Sequence, residues 1–145
     1  MKLDEILDMW STDCNVDRTE LGEEALKIPK LHSKYLRHYS EERLLLRKLE
    51  EEKRELIKLK HDYYRGILPE EDLKSNGWEP FRLNVLKSDI PMHIDADQDI
   101  IKMNLKIAMQ GEKVDTLESI IKSISNRGYL IKSAIDYEKF KVGAW

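Results

Sequence analysis

Residues 58–66 read KLKHDYYRG, nine positions that hold cations, adjacent tyrosines and a closing glycine. Over residues 53–66, Lys53, Arg54, Lys58, Lys60 and Arg65 outnumber Glu55 and Asp62. Arg54, Lys58, His61 and Arg65 step by 4, 3 and 4, so a helix would align them on one face along which a polyanion could lie. Lys60 stands one turn from Tyr64, which pairs a phosphate-holding cation with a ring able to stack a base. Arg54, Lys58, Lys60, His61, Tyr64 and Arg65 are therefore the candidate DNA-binding residues. The other readings are a solvated basic face that keeps a long helix soluble, and a coiled-coil scaffold whose basic face binds an acidic protein.

Other chemistries find less support. Asp95, Asp97 and Asp99 start like a calcium loop, but the sixth position is Ile100 rather than glycine and the twelfth is Lys106 rather than glutamate. Clustered aspartates at a helix start also satisfy free backbone N–H groups and the positive helix end, which is the favoured reading. His32, His38, His61 and His93 form no ligand pair at i, i+4, and no metal site is predicted. Neither a G-x-x-x-x-G-K-[ST] loop nor a G-x-G-x-x-G turn occurs, so no nucleotide or other cofactor is expected and nothing points to an enzyme. Cys14 is the single cysteine, which rules out an intramolecular disulfide.

The elements that must position the basic face are helical. Charged residues make up 37% of the chain and hydrophobic ones 41%, with 6 glycines and 4 prolines in 145 residues, the balance of long amphipathic helices. Leu31, Tyr35, His38, Glu42, Leu45, Leu49, Glu52, Leu56, Leu59 and Tyr63 follow alternating steps of 4 and 3. They predict a helix to about Arg65, its heptad seam interrupted at His38, Glu42 and Glu52 and stopped by Gly66. Upstream, Leu3, Ile6, Leu7 and Trp10 suit a short amphipathic helix. Asp17 or Thr19 could cap a second near Glu20, and Ile28-Pro29 marks a kink or break.

Residues 67–94 carry turn signals at Pro69, Asn76-Gly77, Pro80 and Pro91, with FRLNVL (residues 81–86) alternating like a short strand. Met103, Ile107, Val114, Leu117, Ile121 and Ile124 then form a second stripe, interrupted by Gln110. This helix either ends near Asn126-Arg127-Gly128 or continues to Phe140; the sequence leaves both open. Ile120, Ile121, Ile124, Ile131 and Ile135 form a dense stripe expected to join subunits in a homo-oligomer, the alternative being the core of a monomeric bundle. One domain is expected over 1–145. Its parts are 1–66, helical and DNA-binding; 67–94, a connecting loop or short strand; and 95–145, helical and oligomerising.

The net charge of −3 hides alternating blocks: acidic over 1–29 and 67–101, basic over 30–66 and 102–145. Because salt screens charge over about 8 Å, a local basic patch can bind polyanions on a slightly acidic molecule. No apolar run approaches the roughly 20 residues that span a bilayer, and the acidic start MKLDEILDMW is unlike a signal peptide. A cytoplasmic protein with no membrane contact is expected.

These residues resemble a family. Lys58, Lys60 and His61-Asp62-Tyr63-Tyr64-Arg65-Gly66 resemble the UvsY family of T4-type phage recombination mediators, whose motif is Lys-x-Arg followed by Leu-Asp-Tyr-Tyr-x-Gly. LHSKYL (residues 31–36) is similar to that family's small-polar, lysine, aromatic, leucine pattern. SNRGYLIKSAIDYEKFKVG (residues 125–143) is similar to its Arg-Gly-aromatic-x-Ile-Lys segment, and IPMHIDADQDIIKMNLKI (residues 90–107) to cyanophage-type members. Lys60 replaces the family arginine, keeping the charge and losing the planar guanidinium. The resemblance implies a mostly α protein in ring-like hexamers or heptamers that binds single-stranded DNA. It implies a non-enzymatic mediator that loads a RecA-like recombinase, UvsX, onto strands covered by the phage single-strand-binding protein. Such a protein would act in homologous recombination, recombination-dependent replication and repair, in the cytoplasm of the infected bacterial host.

Overall fold

Leu3, Ile6 and Trp10 carry the helical spacing that opens the chain, and in the computed structural model, which describes residues 1–143, they lie on α1 (Leu3–Asp13). Glu5 accepts the Lys2 backbone N–H at 3.1 Å, satisfying one of the donors that a helix start leaves open. After α1 come α2 (Leu21–Leu26), α3 (Ile28–Tyr64), α4 (Glu70–Asn76), a single 3-10 turn (Lys87–Asp89), α5 (Ile90–Asp95) and α6 (Gln98–Lys141). The chain divides into two compact units, Met1–Leu44 with Gln110–Trp145, and Leu45–Met109. The divisions fall inside α3 and α6.

In the first unit, Ile6, Tyr35, Leu117, Ile120 and Ile124 are buried together, with Met9, Trp10, Ile28, Leu31, Tyr39 and Ile121 packed around them. Each fully buried aliphatic side chain contributes about 1.5–3 kcal/mol. Trp10 meets Tyr35 edge-on, ring centroids 5.5 Å apart. Ile131 is also buried, whereas Ile121 and Ile135 are only half-buried. Of the isoleucine stripe, Ile120, Ile124 and Ile131 are thus covered by their own chain.

The interruptions of the two helical patterns have partners. Gln110 Nε2 donates to the Glu42 carboxylate at 2.6 Å and to its carbonyl at 2.8 Å, both side chains being buried. α6 runs unbroken through Gly128. Arg127, buried just before it, donates from Nη2 to the Asp13 carbonyl at 2.8 Å, a tertiary tie that outweighs the roughly 1 kcal/mol helix penalty of glycine. Neither Asp17 nor Thr19 caps α2: Asp17 Oδ1 accepts from the Thr19 N–H and hydroxyl within the preceding turn, and Glu20 flanks the helix without a side-chain bond. The break at Ile28-Pro29 falls at Lys27, and Pro29 occupies the first turn of α3, where a missing N–H leaves no bond unmade.

In the second unit, α3 closes at Gly66, φ 76°, with Gly66 N–H bonded to the Tyr63 carbonyl and Ile67 N–H to that of Asp62. These paired bonds need the left-handed residue that glycine supplies. Residues 81–86 form no strand, which corrects the sequence expectation; the described residues contain no strand that could pair with them. Phe81 and Val85 are half-buried while Leu83 and Leu86 are 70% and 72% exposed. Ile90, Ile94 and Ile100 form a small core with Leu56, Ile57, Tyr64 and Val85 against it.

Candidate nucleic-acid interface

α3 turns by about 100° per residue, so Lys58 and Lys60, two apart, face roughly opposite ways. Lys58 is exposed, as are Arg54 and Arg65; His61 is half-buried. Arg54 is ion-paired with the exposed Glu51 one turn earlier. Lys58 and Arg65 form no ion pair among the described residues. The 4-3-4 alignment read from the sequence thus yields an outward face whose cations include two that form no ion pair among the described residues.

Lys60 and Tyr64 lie elsewhere, turned toward the rest of their own unit. Lys60 is 3% exposed. Its ammonium lies 2.8 Å from Asp99 Oδ2 and 3.1 Å from Asp97 Oδ2, and 3.7 Å from the centre of the Trp78 ring. The Tyr64 hydroxyl donates to Asp97 Oδ2 at 2.6 Å. Its ring meets Phe81 and Tyr63 edge-on at 4.9 and 5.2 Å and lies 5.3 Å from His93. The Lys60 ammonium thus already holds two protein carboxylates, and the half-buried Tyr64 ring packs against protein rings.

Asp97 is the hub. Its Oδ1 accepts the backbone N–H groups of Asp99 and Ile100, capping α6, while Oδ2 takes Lys60 and Tyr64. Burial alone would raise the carboxyl above its ordinary 3.8; the bonds from Tyr64, Lys60 and the Ile100 amide, with the Lys60 charge, outweigh burial and hold it lower. Burial first, then the bond to Asp97, pushes the Tyr64 hydroxyl well above the ordinary phenol value.

Asp97 and Asp99 stand at the start of α6, as the sequence predicts, whereas Asp95 closes α5; the pairing of Asp97 and Asp99 with Lys60 is not among the sequence expectations. Its sequence signal was the i, i+4 spacing of Lys60 and Tyr64, which puts both on one face. Trp78, which covers Lys60, carried no signal beyond following the Asn76-Gly77 turn.

The fold belongs to a known class, the helical phage recombination mediators. It matches a crystal structure of the bacteriophage T4 recombination mediator protein UvsY (lattice type II) with a TM-score of 0.83 and 26% identity, covering 98% of both chains. A second crystal form of that protein (lattice type IV) matches with a TM-score of 0.84 at 24% identity, covering 97% of this chain and 99% of that one. The recombination protein uvsY of Enterobacteria phage T4 is 26% identical over 143 residues, 99% of each chain. Residues 9–144 match the family of the recombination, repair and ssDNA binding protein UvsY, and the chain belongs to that family.

Proposed function

We propose that this protein binds single-stranded DNA as a homo-oligomer and loads a RecA-like recombinase of the UvsX kind onto strands covered by single-strand-binding protein, in the infected host's cytoplasm. The observation that carries the reading is the outward face of α3 and the turn after it, where Arg54, Lys58 and Arg65 are exposed in a chain of an ssDNA-binding family. Phosphates lie along Arg54, Lys58 and Arg65, with His61 at the margin. Repeating this face around a ring of six or seven subunits turns weak single contacts into tight binding. With most of the isoleucine stripe buried, subunits meet through the exposed Tyr129, Leu130 and Tyr137 of α6, beside the half-buried Ile121 and Ile135. A strand held across several subunits is loosened from its covering protein and presented to the recombinase.

The test is the recombinase's DNA-dependent ATPase on strands pre-covered with single-strand-binding protein. Added wild-type protein should shorten the lag, and Lys58→Ala/Arg65→Ala should not. A wild type that neither shortens the lag nor binds bare single strands at low salt would turn the reading to a scaffold for an acidic protein.

A further inference from the structure

Lys60 belongs by sequence to the same basic run as Lys58, and by structure to the interior. Lys60 and Asp97 are 3% and 8% exposed. A lysine is almost never so buried unless paired, and here two carboxylates take its charge while Trp78 covers it. Asp97 divides its two oxygens: one caps the start of α6, the other receives Lys60 and Tyr64 from consecutive turns of α3. One carboxylate thereby fixes the first turn of α6 against the last turns of α3. Those same turns carry Lys58 and lead into Arg65 and the Gly66 stop.

We infer that Lys60 is a positioning residue and not a DNA contact: with Tyr64 it latches α3 to Asp97 and so sets the direction of Lys58 and Arg65. The inference rests on the proposed ssDNA binding for its effect on DNA, and on the geometry alone for the latch. A buried charge left without its partner is strongly destabilising, whereas removing both charges together leaves no such group. Asparagine at position 97 keeps the helix cap through its one side-chain oxygen, since it ranks with aspartate there, while its NH2 group, in the place of the second oxygen, can donate to the Tyr64 hydroxyl oxygen.

The experiment compares wild type, Lys58→Ala, Lys60→Met, Asp97→Asn and Lys60→Met/Asp97→Asn by thermal melting and by anisotropy of a fluorescein-labelled single-stranded oligonucleotide over a salt series. Lys58→Ala should melt like wild type and flatten the log–log salt slope by about 0.7. Lys60→Met and Asp97→Asn should each melt lower and bind more weakly. The double variant should recover both melting and affinity with the full salt slope, although it lacks the Lys60 charge. Lys60→Met melting like wild type while its slope falls by about 0.7 would overturn the inference. So would a double variant that melts like wild type yet keeps a flattened slope. A wild type that ignores the oligonucleotide removes the functional reading instead, and melting then decides the latch: unchanged single variants would overturn it.

Discussion

The two units are held together by different chemistry. In the first, Ile6, Tyr35, Leu117, Ile120 and Ile124 exclude water almost completely, and the polar groups Asp13, Glu42, Gln110 and Arg127 sit around that core in hydrogen bonds. In the second, only Ile90, Ile94 and Ile100 are buried apolar residues, and a lysine, an aspartate and a tyrosine share one bonded site beneath Trp78. Residues that look like an assembly surface serve as core in one unit, and residues that look like a ligand site serve as a fastener in the other. Residue type therefore does not assign a role here; the side of the helix does.

The contrast breaks most completely at Ile124. An Ile124→Asp change buries an unpaired carboxylate and should lower stability by more than about 4 kcal/mol, read by urea unfolding. A folded monomer of wild-type stability would instead place this residue on a subunit surface. Breaking the second unit's latch ranks next: Lys60→Met strands the Asp97 charge and should remove about 3 kcal/mol. Tyr64→Phe deletes a hydrogen bond to that carboxylate and should lose about 2 kcal/mol, with the aromatic packing kept.

Acid should reach both units through their lowered carboxyls. For Asp13, burial works upward but is outweighed by the bonds from Lys34 and Tyr35 and by the charges of Lys34 and Arg127; for Asp97, the bonds described above outweigh burial. Each contribution is present above the ordinary value of 3.8 and lost as pH falls through the lower folded value. Urea midpoints measured from pH 6 down to pH 2 should therefore fall at the acid end, and Asp97→Asn should flatten part of that decline. Lys58→Ala, exposed and without an ion pair, should change stability by no more than about 0.5 kcal/mol, so its effect should appear in DNA binding alone.

Much of the fold was legible because helices write their period into the sequence. The heptad steps from Leu31 to Tyr63 locate α3, Ile28-Pro29 marks its start and Gly66 its end. Glu42 and Gln110 were visible as faults in two separate stripes; that each is the other's partner is a long-range fact no local window contains. The alternation of FRLNVL suggested a strand, but a strand needs a second one beside it, and that too is invisible locally. Gly128 left α6 undecided because its continuation depends on Arg127 reaching Asp13. At the candidate site, the face of Arg54, Lys58, His61 and Arg65 followed from spacing alone. The inward turn of Lys60 was implied by its two-residue offset from Lys58, but the carboxylates that receive it lie beyond a connection with no periodic signal.

The central claim is that the outward cations of α3 meet the DNA strand and the inward one does not. It is tested most directly by the salt dependence of single-stranded DNA binding in two folded variants, Lys58→Ala/Arg65→Ala and Lys60→Met/Asp97→Asn. The account predicts that the first loses about 1.4 from the log–log slope, about 0.7 for each phosphate contact, while the second keeps the wild-type slope. A first variant with the wild-type slope, or a second with a flattened one, would contradict it.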